Sequence, residues 1–277
     1  MDTHSFPDQT HLLVREIEHA NDYDITVIHR HAYYEIFLFD HVVDGHQIID
    51  LKRHTIKPNS IYIVGPDQIH FLKRNPKENG VMIQFSREFL LATVSNLPNE
   101  GLITLNSTPF TEISEAEFQL LTHHFRHLGK LNSGNHQFSQ PQVSAYFSYI
   151  IFHLLELISD AGKVNQDDRV AHQFMAMVQT HFRERRNVSD YAGKLLVSTN
   201  TLSRKVKNSY GKSPLEIIHG HLLLEIKRLL IVNELSHKEI CYTLNFDSPG
   251  SYNKFVMKQT GLSPTQLQSQ LIEMHKS

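Results

Sequence analysis

The sequence predicts an α+β chain of two domains: a small antiparallel β-barrel with two associated helices, then an all-α domain that uses one supersecondary unit twice around a long helix. Three observations carry this expectation. Short runs rich in Ile, Val, Tyr and Phe, separated by turn residues, fill the first half. The pattern G-x-S-P occurs at Gly211 to Pro214 and again at Gly261 to Pro264, each time ahead of a helix-like run. The net charge of −2 divides unevenly: through Asp167, 12 Lys and Arg face 20 Asp and Glu, whereas from Asp168 onward 15 face 9.

Composition sets the class. A chain of 277 residues, 40% hydrophobic and 20% charged, can bury two ordinary cores. No apolar stretch reaches the roughly 18 to 20 residues of a membrane helix. The N-terminus MDTHSFPDQTH lacks the basic lead and apolar centre of a signal peptide, so a cytoplasmic protein without membrane association is expected. The single Cys241 excludes an internal disulfide. An acidic front and a basic back suit a small-molecule or partner domain joined to a polyanion-binding one; two soluble domains of different charge are the plainer alternative.

In the front half, the runs DITVIHRHAYYEIFLF, GHQIIDL, SIYIV and VMIQF are punctuated by Asp-Gly, Pro-Asn and Pro-Asp, the turn chemistry of a compact β domain, barrel or sandwich. Two helix-like segments follow. SEAEFQLLTHHFRHL repeats Phe118, Leu121, Phe125 and Leu128; QVSAYFSYIIFHLLELI repeats Val143, Tyr146, Phe147, Ile150, Ile151, Leu154, Leu155 and Ile158. These stripes pack either on the β domain or across the two-fold axis of a homodimer. Polar SDAGKVNQDD reads as a linker, giving domains at 1–160 and 169–277 with the linker at 161–168.

In the back half, a helix ends well on a left-handed Gly, and the next starts well with Ser as N-cap and Pro at its first position. G-x-S-P therefore reads as punctuation between helices. The copies run from Val188 to Pro214 and from His237 to Pro264: Ala192 and Leu195 correspond to Cys241 and Leu244, Val197 to Phe246, Leu202 to Tyr252, Val206 to Val256, and Gly211 to Gly261. Each holds a short helix, a tight turn and a second helix capped by Ser198 in one copy and by Asp247 or Ser248 in the other. Apolar spacings of four leave the opposite face of the second helix free. This is the pattern of a helix-turn-helix, whose second helix enters the DNA major groove.

The free face offers Ser198, Asn200, Thr201, Ser203, Arg204 and Lys207 in the first copy and Ser248, Gly250, Ser251, Asn253, Lys254 and Lys258 in the second. Arg204 and Asn200 suit base edges. Lys207, Lys212 and Lys258 suit phosphates. A solvated polar face is the alternative for any one of these residues; two copies at matching offsets favour the DNA reading.

The stretches SHKEICYTLNFDSPGSYNKFVMKQTGLSPTQLQ and LSRKVKNSYGKSP closely resemble the two helix-turn-helix motifs of AraC/XylS transcription regulators, and PLEIIHGHLLLEIKRLLIVN resembles the family's linking helix. The resemblance covers the C-terminal 110 residues or so. It implies a sequence-specific regulator binding double-stranded DNA, usually an activator that recruits RNA polymerase. Rigid spacing would set the two readers about one turn, ~34 Å, apart on one DNA face. Some positions depart from the family pattern. Asn245 stands where Gly is usual, Cys241 where Ala is usual, and His221 where Arg is common; Gly250 removes a side chain from the second reading helix.

In HRHAYYEIFLF, alternation projects His29, His31, Tyr33 and Glu35 to one side of a strand, and His70 in GPDQIHFL joins from a later strand. H-x-H-x-x-x-E with a distant P-x-x-x-H resembles the cupin barrel, and cupin-like sensor domains commonly precede the AraC/XylS pair. Three readings stand: a pocket for a small-molecule effector, which is the favoured one; a divalent metal site, as in cupin enzymes; and a hydrogen-bonded structural cluster. No metal or cofactor is assigned. His123, His124 and His127 read as exposed helix positions. No phosphate loop, nucleophile elbow or paired cysteines stand in the sequence, and the resemblance implies a non-enzymatic, effector-controlled homodimeric regulator. A metal-dependent cupin enzyme with a DNA-binding tail and an effector-independent DNA binder are the alternatives.

Overall fold

The computed structural model describes residue 6 and residues 11–17, 28–75, 77–94, 96–161 and 169–276. The chain divides into two compact units, residues 1–163 and 164–277. The expected linker at 161–168 lies, but for Ala161, outside the described residues.

The first unit contains strands β1 (Leu12–Glu16), β2 (Tyr33–His41), β3 (His46–Ile49), β4 (Lys52–Thr55), β5 (Ser60–Val64), β6 (His70–Lys73), β7 (Asn79–Ser86) and β8 (Phe110–Glu112). Among the described residues they form two antiparallel sheets, ordered β1-β7-β2-β5-β8 and β4-β3-β6. The expected barrel is replaced there by these two separate sheets, and β1, β4 and β8 are strands that the apolar runs of the sequence did not mark.

The larger sheet is covered on both faces. Tyr34, Ile36 and Leu38 of β2 join one core cluster with Ile61, Ile63, Val81, Ile83 and Phe85, and this face receives helices. Phe37 and Phe39 point the other way and cluster with Ile49 and Leu72 of the smaller sheet, with Tyr62, Val64 and Met82. Burial on both faces explains why β2 reads as a continuous apolar run without alternation. Gly80 opposite Phe39 permits the closest approach: a Cβ there would lie 2.1 Å from the Leu38 carbonyl oxygen.

Among the described residues, four helices complete the unit: α1 (Arg87–Thr93), α2 (Asn99–Ser107), α3 (Glu115–Asn132) and α4 (Ser139–Ala161). The sequence reading expected only the last two; α1 and α2 are short, and their side chains pack mainly by tertiary contact. Ser86 and Ser114 cap α1 and α3 by accepting the Phe89 and Glu117 amide N–H groups. Phe118, Leu121, Phe125 and Leu128 of α3 and Val143, Phe147, Ile150, Ile151 and Leu154 of α4 are buried with the sheet. The stripes are therefore occupied within the unit.

The second unit is helical: α5 (Arg169–His181), α6 (Val188–Lys194), α7 (Thr199–Tyr210), α8 (Pro214–Val232), α9 (His237–Thr243), α10 (Pro249–Thr260) and α11 (Pro264–Lys276). Gly211 and Gly261 end α7 and α10 at φ 69° and 76°. Ser213 then caps α8 in a reciprocal box with Glu216, and Pro214 opens it. The G-x-S-P signal thus has the structural meaning read from it. No helix among the described residues is long and apolar enough to cross a membrane.

Phe147 is fully buried, edge-on to Phe85 and Phe89 with ring centroids 5.0 Å apart in each pair. Phe147→Ala is expected to destabilise the first unit by about 3–5 kcal/mol, through lost transfer and a residual cavity, as read from urea unfolding of the full chain.

Candidate nucleic-acid interface and the buried histidine cluster

Each copy of the repeated unit is a short helix, a tight turn and a longer helix: α6 with α7, and α9 with α10. Both turns pass through a left-handed residue, Leu196 at φ 55° and Asn245 at φ 54°. Asn accepts that conformation readily and Leu does not, so the Leu196 backbone is held by its flanking helices. Its side chain is 93% exposed. Leu202 and Val206 of α7 are fully buried, as are Tyr252 and Val256 of α10. Four-residue spacing puts each pair on one helix face, so the opposite face must look outward.

The outward face carries the expected residues. Asn200, Arg204 and Lys207 are exposed on α7; Gly250, Asn253, Lys254 and Lys258 are exposed on α10. Thr201, Ser203 and Ser251 are half-buried. Four hydroxyls have local duties. The Ser198 oxygen accepts the Thr201 N–H at 3.1 Å and meets the Thr201 hydroxyl at 2.9 Å. The Ser248 oxygen accepts the Ser251 N–H at 3.2 Å, while the Ser251 hydroxyl donates to the Ser248 carbonyl at 2.7 Å. Of the two cap candidates for the second copy, Ser248 is therefore the one used, and Asp247 stays exposed. Cys241 is fully buried, its thiol directed at the Phe246 carbonyl at 3.8 Å, which fits a packing residue.

In the first unit the structure brings His29, His31, Glu35 and His70 together, though by a different route from the single strand expected. Strand β2 starts only at Tyr33. His29 instead exchanges backbone hydrogen bonds with His70, at 3.1 and 2.9 Å, on the smaller sheet. The chain then steps across at His31 and Ala32 into the larger sheet. Residues 24–27 of the expected strand lie outside the described residues. The ring of Tyr33 stacks on His31, centroids 3.9 Å apart, at the edge of the cluster.

The cluster's bonding is incomplete in an informative way. His31 Nδ1 lies 2.8 Å from the Tyr33 carbonyl oxygen, which can only accept, so Nδ1 carries the proton. His31 Nε2 then faces Glu35 Oε2 at 3.2 Å, and His70 Nε2 lies 3.6 Å from that same oxygen. Gln84, directly opposite Glu35 in the sheet, donates to Glu35 Oε1 at 2.6 Å. Burial pushes the Glu35 pKa up, but the charge and hydrogen bond of His31, helped by His70 and Gln84, outweigh it and hold the carboxyl well below the usual range. Burial keeps His70 well below the ordinary histidine value, hence neutral at pH 7. A buried carboxylate with imidazole nitrogens turned to it calls for a cation, either a proton on His31 or a bound ion. One ligand nitrogen from each of His29, His31 and His70 lies within 4.8 Å of the others, a donor set that suits a divalent transition ion.

Sequence reasoning missed three neighbours. Gln47 is fully buried, and neither its amide nitrogen nor its amide oxygen has a hydrogen-bond partner. His54 Nε2 and Gln84 Oε1 are likewise buried without one. Gln47 pairs across the sheet with His54 and Leu72. The available signal was a Gln inside the apolar runs GHQIIDL and VMIQF.

The comparisons bear mainly on the helical unit. A helix-turn-helix domain family matches residues 191–270. The HTH-type transcriptional activator RhaS of Escherichia fergusonii is 19% identical over 243 residues, covering 86% of each chain. A solved structure of ToxT from Vibrio cholerae superposes over 93% of this chain and 97% of its own at 15% identity, TM-score 0.44. The C-terminal domain of AraT, a response regulator from Geobacillus stearothermophilus, covers 38% of this chain and 88% of its own at 23% identity, TM-score 0.36. Superpositions at those scores add no weight.

Replacing the Ser248 cap is expected to act through helix stability. Ser248→Ala should cost about 1 kcal/mol in urea unfolding of the full chain, whether or not DNA is present. The matched domain, the twice-used motif and the helix that joins the two copies make residues 191–270 a helix-turn-helix domain.

Proposed function

We propose that α7 and α10 read adjacent major-groove segments of one duplex, and that a small-molecule effector bound between the two sheets of the first unit controls this reading. One observation carries the first part. Both second helices have a serine cap, a pair of buried anchors four residues apart and a left-handed glycine end, leaving polar and cationic faces exposed in a half of the chain with net charge +6. In this reading Arg204 and Asn200 contact base edges, Asn253 and Lys254 contribute from the second copy, and Lys207, Lys212 and Lys258 meet phosphates. Ser198, Thr201, Ser248 and Ser251 act by shaping the helix starts. Gly250 leaves room for close backbone approach, which suits anchoring.

The effector part is supported by polar atoms that are buried without partners. Both amide atoms of Gln47, His54 Nε2, Gln84 Oε1, His31 Nε2, Glu35 Oε2 and both ring nitrogens of His70 are such atoms, and the buried rings of His29 and Tyr33 adjoin them. An effector can act only by binding two states of the protein unequally. Activation is proposed by likeness to the transcriptional activator RhaS, and recruitment of RNA polymerase by the resemblance of the helical unit to AraC/XylS regulators. A cytoplasmic homodimer without enzymatic activity completes the proposal, with Leu120, Tyr149 and Phe152 exposed on α3 and α4 as its contact surface. The cupin-like character of the first unit and domain limits at 160 and 169 belong to the same reading.

A second reading is favoured by the three histidine nitrogens: the controlling ligand is itself a divalent ion held by His29, His31 and His70 beside Glu35. Zinc, manganese or iron at one equivalent in purified protein, lost in a His29→Ala, His31→Ala double variant, would establish it. Protein that binds none of these ions at micromolar concentration would eliminate both this reading and a metal enzyme.

DNA reading is tested by selecting bound sequences from random duplexes and measuring Arg204→Ala on the enriched site. Affinity for that site is expected to fall about 5- to 100-fold, with less change on random DNA. Equal losses on both would assign Arg204 to phosphate.

A further inference from the structure

The two helix-turn-helix motifs are joined by α8, yet a second connection runs beside it. The segment between α5 and α6, which leads into the first motif, reaches the turn of the second. Arg183 donates through a terminal nitrogen to Glu225 Oε1 at 2.7 Å. Glu225 lies on α8, is 2% exposed, and also receives Arg228 at 3.1 Å. Arg183's own carbonyl accepts from the Asn245 side-chain amide at 3.5 Å. Three residues on, Arg186 lays its guanidinium over the Phe246 ring, 4.0 Å from the centroid, and donates to the Leu244 carbonyl. Leu244 is the C-cap of α9, so the cation satisfies a helix-end carbonyl at the negative end of the dipole. Phe246 in turn packs edge-on against Tyr252, an anchor of α10, with centroids 5.5 Å apart.

We propose that Arg186, with Arg183 and Asn245, forms a strap that fixes the second reading helix relative to the first, and so sets the spacing between DNA segments that the protein accepts. The turn residue itself points this way. Asn245 adopts φ 54°, a conformation glycine takes without cost, but glycine has no side-chain amide to donate to the Arg183 carbonyl. The Asn that departs from the usual Gly therefore adds a tie between motifs. Arg186 is a positioning residue: it acts through Leu244 and Phe246. A single helix fixes distance but bends and twists. Attachments on both sides of the second turn also restrict rotation, and that sets which face of the duplex α10 meets.

The proposal rests on both motifs engaging one duplex, and its test separates the two ideas. Spin labels at Asn208→Cys on α7 and Met257→Cys on α10, both exposed, report the inter-reader distance in the full chain without DNA; Cys241 is buried and does not compete. Adding Arg186→Ala is expected to broaden or shift that distance distribution. On the duplex selected by the wild-type protein, inserting five base pairs, about half a turn, between the two contacted segments should weaken wild-type binding about 100-fold and the Arg186→Ala protein about tenfold or less. Arg186→Lys, which keeps charge but not the flat stack, should restore part of the discrimination. Asn245→Gly, compatible with the turn, should move both readouts in the same direction by a smaller amount, and it decides the matter if Arg186→Ala does not fold. An unchanged distance distribution with unchanged spacer discrimination in the folded variants overturns the strap. A wild-type protein indifferent to spacing, with distances that do respond to Arg186→Ala, overturns single-duplex reading and leaves the strap as a structural link.

Discussion

Each reading helix is tied to its unit by two buried side chains one turn apart, Leu202 and Val206 in α7 and Tyr252 and Val256 in α10. Everything the second unit presents to DNA follows from these anchors. A helix of twelve residues has little stability alone, so its orientation is set by the apolar stripe it buries. Once that stripe is committed inward, residues such as Asn200, Arg204, Asn253 and Lys254 have no direction left but outward. Serine caps at both starts and left-handed glycines at both ends fix where each helix begins and stops.

The copies are alike in frame and different in detail. The first turns through Leu196, whose side chain contacts solvent; the second turns through Asn245, whose amide is engaged. Tyr252 in place of Leu202 gives the second copy an aromatic anchor that meets Phe246, with Phe246 also 5.6 Å from Phe255. His219 of α8 then packs edge-on to Phe255 and meets Gln259 at 3.3 Å. The second helix is thus fastened from several sides, while the first exposes Arg204 and Asn200, side chains whose donors suit base edges. Unequal readers on a shared frame suit an asymmetric site.

In the first unit a doubly covered sheet encloses a polar island. Glu35 occupies a position whose neighbours two along, Phe37 and Phe39, are packed in the core between the sheets. The carboxylate there accepts a hydrogen bond from Gln84 and has His31 Nε2 and His70 Nε2 at 3.2 and 3.6 Å. Glu78 shows the contrasting solution: it is fully buried too, but its Oε1 accepts the amide N–H groups of Val43, Asp44 and Gly45 at 2.9 to 3.1 Å. One buried acid is saturated by backbone and holds a loop. The other is left facing imidazoles, with Gln47 unpartnered in the same intersheet space, and polar atoms kept in that condition suit a ligand.

The duplicated motif was legible in sequence because its determinants are local. Caps, left-handed turn residues and i, i+4 anchors are written within a few residues of where they act, so G-x-S-P and the paired apolar positions specified helix limits and outward faces without reference to distant parts. The histidine cluster was legible as a set of residue types, since alternation and proximity to β2 suggested it. The tertiary structure decided the rest. Strand pairing decided that the β segments form two sheets, that His29 bonds to His70 before β2 begins, that Gln47 lies opposite His54 and Leu72, and that Gln84 lies opposite Glu35. Helix packing decided that the α3 and α4 stripes face the sheet, and that Arg186 crosses to the second turn. These are contacts between residues tens of positions apart, and no short-range pattern in a chain encodes which of many compatible partners a strand edge or a long cationic side chain will meet.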